Sequence, residues 1–411
     1  MALNESNIGT GGDDDDDVVT PWTVTARSQA GVDYDKLIVK FGSQRITREL
    51  LNRIESSTGQ KPHHFLTRGV FFSHRDLEFI LNTHEAKKPF YLYTGRGPSS
   101  TAMHVGHLLP FIFTVWLQKT FGCPVIIQLT DDEKWACKPE DITEAEAKRN
   151  AFENAKDIIA CGFDVTKTLI FSNLGVMSHD IKLTRLLPLA WDIGIRTTNN
   201  KMRGIFGFSG SDNTAKNFFP NIQAAPAFSC CFEEVFGIQP GQTMPCLIPC
   251  GIDQDPFFRL TRDVAPLLNH PKPALLHAKF FPSLQGSQTK MSASVDISAI
   301  FLTDTPSQIK NKINKYAFSG GGATVEEHKA NGGNCDIDTS FQFLKYFLED
   351  DDKLESIRET YSNGQLLTGQ LKKVTIEVLQ KLISEHQKRR AEVSDDLVRT
   401  FMRVERFPRK L

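Results

Sequence analysis

The sequence predicts an α/β fold in which a Rossmann-like parallel sheet is followed by an all-helical C-terminal part. From about residue 34, short apolar runs alternate with helical patterns, as expected of buried parallel strands joined by helices. The runs are residues 89–94, 125–130, 168–172, 246–250 and 274–276. After about residue 299 the runs stop and apolar residues recur at helical spacing, which predicts a helical bundle. They include Leu367, Leu371, Val374, Val378 and Leu382.

Composition and charge limit the class of protein. The chain has 411 residues, of which 40% are hydrophobic and 24% charged, so it is long enough for two domains. A net charge of −1 argues against a nonspecific polyanion binder, so no DNA partner is expected and any RNA contact must come from local patches. The apolar stretches are far shorter than the ~20 residues of a membrane span. With an acidic rather than basic N-terminal run, this favours a cytoplasmic protein.

The N-terminus is expected to be a disordered tail. Residues 1–18, which contain the acidic run Asp13 to Asp17, show no apolar periodicity. β-forming residues from Val18 to Val24 then surround Trp22, which has the character of a buried residue.

The cysteines favour reduced thiols. Eight are scattered through the chain, which does not match a disulfide framework. Cys230-Cys231 with Cys246 and Cys250 could suggest zinc, but Cys246 and Cys250 flank an apolar run and are interpreted as core thiols. No metal site is therefore predicted.

A first motif follows the apolar run at 89–94. Turn-forming residues 95–100 break the run, and a helix is predicted to follow that ends near Phe121-Gly122. His104 and His107 would lie on one face of its opening turn, where unpaired N–H groups and the helix dipole favour a phosphate. Gly106 would let a ribose or base approach the backbone. Two surface histidines at a helix start are the alternative.

A second motif, Lys290-Met291-Ser292-Ala293-Ser294, lies in a loop. A lysine with two hydroxyls can grip a polyphosphate whose charge changes during reaction, and mobility would be part of that function. By itself the motif could equally be an ordinary polar loop.

The two motifs together resemble those of class I aminoacyl-tRNA synthetases. His104 to His107 match the HIGH-type motif, and Lys290 to Ser294 match the KMSKS-type motif in its KMSAS form. Four further segments, in the same order, resemble the eukaryotic-type tryptophanyl-tRNA synthetases. These are residues 93–100, 130–134, 223–226 and 252–259. The similarity runs from about Pro21 to near the C-terminus, and these ordered motifs together are far more specific than any one of them.

The resemblance implies a domain organisation. Residues 19–300 would form the Rossmann-like catalytic domain, and a connective insertion at about 138–218 would build the interface of a homodimer. Apolar residues 183–191 could serve that interface or pack within their own domain. Residues 301–411 would form the helical anticodon-binding domain, and an N-terminal hairpin would lie over the active site. Gly322-Ala323 depart from the Arg-Asp of relatives, so the residues that read the anticodon are not assigned.

The resemblance also implies a reaction, its partners and its residues. The chain would use ATP with Mg²⁺ as a substrate complex, and no tightly bound cofactor, to activate L-tryptophan and transfer it to tRNA(Trp). The implied catalytic residues are His104, His107, Lys290, Ser292 and Ser294. The implied ATP-binding residues are Arg96, Gly97, Gly106, Ile252, Asp253 and Met291. The implied tryptophan-binding residues are Tyr93, Gln128, Glu133, Lys134, Gln223 and Gln254.

Three other functions remain open at this point. A tyrosyl-tRNA synthetase shares the fold and motifs, although tyrosine's phenol would favour an acid where Gln128 stands. A small-molecule adenylyltransferase uses the same H-x-G-H helix, but lacks a helical C-terminal domain and a distant lysine loop. A non-catalytic RNA-binding or signalling module would have no need of His104, His107 and Lys290.

Overall fold

The computed structural model describes residues 17–20, 24–29, 31–291 and 296–407, with residues 289, 290 and 296 described by backbone alone. The strands are β1 (Val18–Val19), β2 (Val24–Thr25), β3 (Gln44–Arg45), β4 (Phe71–Arg75), β5 (Tyr91–Arg96), β6 (Val125–Leu129), β7 (Thr168–Ser172), β8 (Cys246–Gly251), β9 (Ala274–Ala278), β10 (Pro282–Ser283) and β11 (Gly286–Lys290). The helices up to the end of the insertion are α1 (Tyr34–Phe41), α2 (Arg48–Thr58), α3 (His64–Thr67), α4 (Leu77–Glu85), α5 (Val105–Phe121), α6 (Asp131–Cys137), α7 (Glu144–Ile159), α8 (Asn173–Met177), α9 (Leu186–Ile195), α10 (Asn199–Phe206) and α11 (Thr214–Ala224). Those that follow are α12 (Glu233–Phe236), α13 (Asp255–Val264), α14 (Pro306–Tyr316), α15 (Val325–Asn331), α16 (Thr339–Phe347), α17 (Asp351–Ser362), α18 (Thr368–Ala391) and α19 (Asp395–Met402).

The main sheet confirms the predicted parallel arrangement and extends it. Within the described residues it has seven strands in the order β3-β4-β9-β8-β5-β6-β7, and the five from β9 to β7 are parallel. All five apolar runs are these five strands. Sequence reasoning missed β3 and β4, which add antiparallel to the edge. β3 has only two residues and β4 mixes Ser73, His74 and Arg75 with two phenylalanines, so neither carries a continuous apolar run.

The parallel register brings the strand ends together. Gly95 of β5 is paired with Gln128 of β6, and Gly251 of β8 with Ala278 of β9. The carboxyl ends of four neighbouring strands therefore open at one edge, which is where open α/β sheets bind ligands.

Helices cover both faces of this sheet. On one face, Leu108, Phe111 and Val115 of α5 share a core with Leu92 and other strand residues. On the other face, helix α9 and the residues after α11 pack on the opposite side of the same strands. Burial on both faces explains why β5 and β6 read as unbroken apolar runs.

The C-terminal helices pack directly on the sheet domain. α18 contacts α14 and α16, and Leu379 and Ile383 join the core that contains α5. The chain then returns to the opposite face, where Val404 and Phe407 are buried. Arg406 donates to the carbonyl oxygens of Val165 and Thr168 beside β7. These contacts join the last residues of the chain to the sheet domain. The domain limits expected from the sequence, 19–300 and 301–411, therefore remain a prediction.

The N-terminal segment forms a hairpin against β11. β1 pairs antiparallel with β2, and the N–H of Ala26 donates to the carbonyl oxygen of Gln288 at 3.0 Å. Asp17 accepts hydrogen bonds from the N–H groups of Arg27 and Asp33, at 3.1 and 2.8 Å. The last residue of the acidic run is thus part of the hairpin and not of a solvated tail. Residues 1–16 and Trp22 lie outside the described residues.

Residues 138–218 contain strand β7 of the main sheet as well as helices, and helix α9 leaves two large apolar side chains in solvent. Trp191 and Ile195 of α9 are 66% and 73% exposed. None of the described helices is both long and apolar enough to cross a membrane. All eight cysteines are free thiols, and Cys246 and Cys250 are buried in β8 as expected of core residues.

Candidate active site

One cavity of about 380 Å³ opens at the carboxyl ends of the parallel strands. It brings together residues that lie far apart in the sequence and that the sequence analysis singled out. The predicted residues that line it are Tyr93, Arg96, Gly97, His104, Gly106, His107, Gln128, Glu133, Lys134, Gln223, Asp253, Gln254 and Met291. Ile252 does not line it but is buried in the cluster that holds the N-terminal hairpin. Ser292 and Ser294 lie outside the described residues.

Helix α5 begins at the cavity wall. His104 precedes its first turn in an extended conformation, and Gly122 ends the helix in a left-handed conformation, as the sequence predicts. The N–H of His104 donates to Nδ1 of His107 at 3.2 Å, and the two rings stack with centroids 3.4 Å apart. The two imidazoles are therefore held together at the phosphate-binding end of the helix.

His104 and Arg96 have buried polar atoms in this wall that lack hydrogen-bond partners among the described residues. Both ring nitrogens of His104 and Nη2 of Arg96 are buried without a hydrogen-bond partner among the described residues. Burial, assisted by the nearby Arg96, lowers the pKa of His104 to about 3, so its ring is neutral. Burial also lowers the pKa of Arg96, to about 10, which leaves it cationic at neutral pH. Buried donors normally have partners, so these atoms are suited to an incoming anion.

The backbones on both sides of the lysine motif lie beside the same wall. The N–H of Met291 donates to the carbonyl oxygen of Phe281 at 3.1 Å. Beyond residues 292–295, the N–H of Val105 donates to the carbonyl oxygen of Ile300 at 2.9 Å, and that of Leu302 to Met103 at 2.9 Å. The backbones on both sides of the motif are thus tied to the cavity and to the start of α5.

In a second wall of the cavity, the polar side chains form one network of hydrogen bonds. The hydroxyl of Tyr93 lies 2.5 Å from Oε1 of Gln128 and 2.8 Å from the carbonyl oxygen of Gln223. Nε2 of Gln128 donates to Oδ1 of Asn173 at 2.9 Å and to the carbonyl oxygen of Ile222 at 3.2 Å. In contrast to the first wall, each polar side chain here has its partners.

A polar rim lies between the two walls. Nζ of Lys134 is 2.8 Å from Oε1 of Glu133, and Nε2 of Gln223 donates to Oε1 of Gln254 at 3.1 Å. A side chain at Gly97 would overlap the end of Lys134, so glycine keeps this rim open. The rim offers both charge signs and amide groups to a zwitterionic ligand.

Comparison with known proteins identifies the family. The family model described as tRNA synthetases class I (W and Y) matches residues 85–384. The chain belongs to this family of class I synthetases. It is 60% identical to a human protein named tryptophan–tRNA ligase, cytoplasmic, over 397 residues that cover 97% of this chain and 82% of that protein. A fission yeast protein (Schizosaccharomyces pombe) of the same name is 51% identical, with coverage of 94% and 97%.

Solved structures agree with the family. The tryptophanyl-tRNA synthetase of Giardia lamblia superposes with a TM-score of 0.85 at 46% identity, covering 90% of this chain and 95% of that one. The family resemblance and the fold class expected from the sequence are both confirmed.

Sequence reasoning missed one cation in the synthetase cavity. Lys279 lines the cavity directly after β9, and its Nζ lies 5.0 Å from the ring centre of Tyr34 and 5.9 Å from that of Phe72. Burial, with the positive charge of Lys345, lowers the pKa of Lys279 to about 8. Its position just after a strand end is the signal that found the other site residues and could have found this one.

A buried cluster supports the cavity from behind. Oγ of Ser73 is 2.9 Å from Nδ1 of His277, and Nε2 of His277 is 3.1 Å from Oδ1 of Asp255, which also accepts from Arg75 at 2.8 Å. Burial would raise the pKa of Asp255, but the hydrogen bonds from Arg75 and the close contact with His277 outweigh it and lower the pKa to about 2. Ser73, His277 and Asp255 resemble a hydrolase triad, yet all three are fully buried. They instead hold β4, β9 and α13 together next to Gln254.

Proposed function

We propose that this class I synthetase is a tryptophan–tRNA ligase, which activates L-tryptophan with ATP and transfers it to tRNA(Trp). The observation that carries the proposal is a single cavity with two unlike walls. One wall has unmet donors beside a helix start and a lysine motif, which suits a triphosphate. The other has a hydrogen-bonded Tyr93–Gln128 pair, which suits an aromatic side chain with one N–H group.

The first step is attack of the tryptophan carboxylate on the α-phosphorus of ATP. The bond to the β-phosphate oxygen breaks, and pyrophosphate leaves with its electron pair. Such a step needs placement and charge stabilisation more than a covalent catalyst. His104, His107 and Arg96 would donate to phosphate oxygens, while Lys290 with Ser292 and Ser294 would stabilise the departing pyrophosphate. Mg²⁺ would arrive with ATP as part of the substrate.

The remaining predicted residues have roles that follow from their places in the cavity. Gly97, Gly106, Asp253 and Met291 would border the nucleotide, with Asp253 meeting the ribose, and Ile252 would support them from behind. A Cβ at Gly106 would lie 3.2 Å from Nδ1 of His104 and 3.2 Å from Cβ of Phe281, so a side chain there would crowd both neighbours.

Tryptophan would lie with its indole against Tyr93 and Gln128. Glu133, Gln223 and Gln254 would hold its ammonium group, and Lys134 would meet remaining phosphate or carboxylate charge. Tyrosine would favour an acidic partner in this position. The nearest carboxylate of the network, Asp132, reaches Gln128 only through Asn173, so the wall presents an amide rather than an acid.

In the second step, the terminal ribose hydroxyl of tRNA attacks the carbonyl carbon of the adenylate. The acyl–phosphate bond breaks, AMP leaves with its electron pair and the hydroxyl proton is released. The C-terminal helices would bind the anticodon through splayed single-stranded bases. In that part the chain carries Gly322 and Ala323, and the N–H of Ala323 donates to Oε2 of Glu327 at 3.1 Å.

We also propose a homodimer without a tightly bound cofactor. Exposed Trp191 and Ile195 on α9 give the insertion an apolar surface of the kind that subunits bury. The described residues contain no group of three or more histidine, cysteine or acidic side chains that could hold a metal ion.

The curated relatives are cytoplasmic by name, which supports the same location for this synthetase.

Amino-acid-dependent ATP–pyrophosphate exchange tests the proposal. Tryptophan should support exchange and tyrosine should not, and unfractionated tRNA should accept labelled tryptophan. Exchange with tyrosine but not tryptophan would make the chain a tyrosyl-tRNA synthetase, which the family description also allows. Absence of exchange with either would favour a non-catalytic module.

A further inference from the structure

A chain of buried hydrogen bonds runs from a carboxylate to the indole wall of the cavity. Nδ2 of Asn173 donates to Oδ1 of Asp132 at 2.7 Å, and Oδ1 of Asn173 accepts from Nε2 of Gln128 at 2.9 Å. Oε1 of Gln128 then meets the hydroxyl of Tyr93. Gln128 and Asn173 are fully buried and Asp132 is 9% exposed. Only Gln128 and Tyr93 of these four residues line the cavity.

The carboxylate end of this chain has a fixed hydrogen-bonding role when Asp132 is ionised. An ionised carboxylate can only accept, so the atom of Asn173 that faces Asp132 must be its amide nitrogen. The oxygen of Asn173 must then face Gln128 and can only accept from it. The carbonyl oxygen of Ile222, 3.2 Å from the same Gln128 nitrogen, can also only accept and favours the same direction. With Asp132 ionised, the orientation of the Gln128 amide therefore follows from acceptors on its nitrogen side.

This direction decides what the cavity offers to a ligand. With its nitrogen turned inward, Gln128 presents an oxygen to the cavity. The single proton of the Tyr93 hydroxyl is taken up by Oε1 of Gln128 or by the carbonyl oxygen of Gln223. Both groups therefore turn lone pairs toward the indole, whose N–H can only donate. A reversed amide would instead place N–H groups against that donor.

We propose that Asp132 and Asn173 are positioning residues for tryptophan recognition, which hold the Gln128 amide with its oxygen facing the indole N–H. The proposal rests on the proposed function, since it presumes that tryptophan occupies this wall. Neither residue touches the substrate. Their effect passes through Gln128 alone.

Placement in the fold supports this role. Gln128 lies near the end of β6, Asp132 is the second residue of α6, and Asn173 opens α8 directly after β7. Parallel pairing of β6 with β7 sets Gln128 opposite Phe171, two residues before Asn173. Burial raises the pKa of Asp132 to about 7, while the hydrogen bond from Asn173 opposes the rise. Above pH 7 the carboxylate is mainly ionised and its role as acceptor is fixed.

The test compares tryptophan with L-3-benzothienylalanine, in which sulfur replaces the indole N–H. ATP–pyrophosphate exchange at pH 8 gives kcat/KM for each amino acid, and their ratio measures recognition of the donor. In Asp132→Asn the new amide can face Asn173 with either atom, so only the longer contact with the Ile222 carbonyl oxygen, at 3.2 Å, still favours the native direction of the Gln128 amide. We expect the ratio to fall about tenfold, the scale of one hydrogen bond, while KM for ATP changes less than about twofold.

Asp157→Asn is the matched control. Asp157 is also buried, accepts from His386 at 3.0 Å and does not line the cavity. This variant should lose thermal stability yet keep the wild-type ratio. An unchanged ratio in Asp132→Asn, or equal losses for both amino acids, would overturn the proposal.

Asn173→Ala provides a second route if Asp132→Asn does not fold. It removes the acceptor for Gln128, so the same fall in the ratio is expected, and an unchanged ratio would again overturn the proposal. Failure of the proposed function looks different, because wild-type enzyme would then show no exchange with tryptophan.

Discussion

The two walls of the cavity differ in how far the protein satisfies its own polar groups. On the wall beside the start of α5, which we assign to the nucleotide and call the nucleotide wall, the ring nitrogens of His104 and one nitrogen of Arg96 have no partner among the described residues. On the indole wall, Tyr93, Gln128 and Asn173 are joined in one buried network. Both walls belong to the same sheet edge, so the difference lies in the side chains and not in the fold.

The difference matches the chemistry expected at each end. On the nucleotide side, negative charge is redistributed in the transition state and leaves with pyrophosphate. Buried donors that have no partner in the protein can bind a phosphate without first breaking a hydrogen bond within the protein. On the indole side the task is to read one N–H on a neutral ring, which needs acceptors held in a fixed direction. The nucleotide wall is suited to stabilising phosphate charge, and the indole wall to selecting the amino acid.

The largest effect should come from Lys290. Lys290→Ala should lower kcat for ATP–pyrophosphate exchange by about 100- to 1,000-fold, because it removes a charge that stabilises the leaving pyrophosphate. Lys310→Ala, an exposed lysine of α14, is the control and should leave kcat unchanged. A loss of kcat below about threefold for Lys290→Ala would show that the lysine motif does not stabilise the leaving pyrophosphate.

Tyr93→Phe should weaken recognition of tryptophan at the indole wall. Loss of the hydroxyl breaks the contact with Gln128, so kcat/KM for tryptophan should fall about tenfold while KM for ATP stays constant. Tyr91→Phe is closely matched, since Tyr91 lies two residues earlier on β5, is equally buried and donates to the carbonyl oxygen of Pro226 away from the cavity. Equal effects in the two variants, or a change in KM for ATP, would contradict the division between the walls.

Much of this comparison could be predicted from the sequence. The five parallel strands and the start of α5 follow from unbroken apolar runs with turn and polar residues after them, whereas lining residues such as Tyr93, Gln128 and Gln223 came from the family resemblance. Family resemblance supplied the roles. Asp132 and Asn173 were not predicted as site residues, because their importance comes from partners on other elements. Hydrogen-bond partners depend on register and packing, which spacing in one sequence does not determine.

Gly106→Ala tests how tightly the nucleotide wall is packed. The added methyl group would crowd the ring of His104 and Phe281, so we expect a loss of several-fold, up to about tenfold, in kcat/KM for ATP. Gly369→Ala, in the first turn of α18 with open space around it, should keep full activity. Full activity in Gly106→Ala as well would show that nucleotide does not approach this turn.

The smallest effect concerns pH. Burial holds the pKa of His104 near 3, far below its usual 6.5, so the ring stays neutral throughout pH 5.5 to 8.5. The ratio of kcat for wild type to that for His104→Asn should therefore change less than about twofold across this range. A tenfold change centred near pH 6.5 would mean that the imidazole acts as a cation.

The most direct test of the two-wall account is a crystal structure with a stable analogue of tryptophanyl-adenylate. The account predicts the α-phosphate within about 3.2 Å of a ring nitrogen of His104 or of Arg96, and the indole nitrogen within about 3.2 Å of Oε1 of Gln128 or the hydroxyl of Tyr93. An analogue bound in the opposite direction, or with its indole nitrogen turned away from Gln128 and Tyr93, would contradict it.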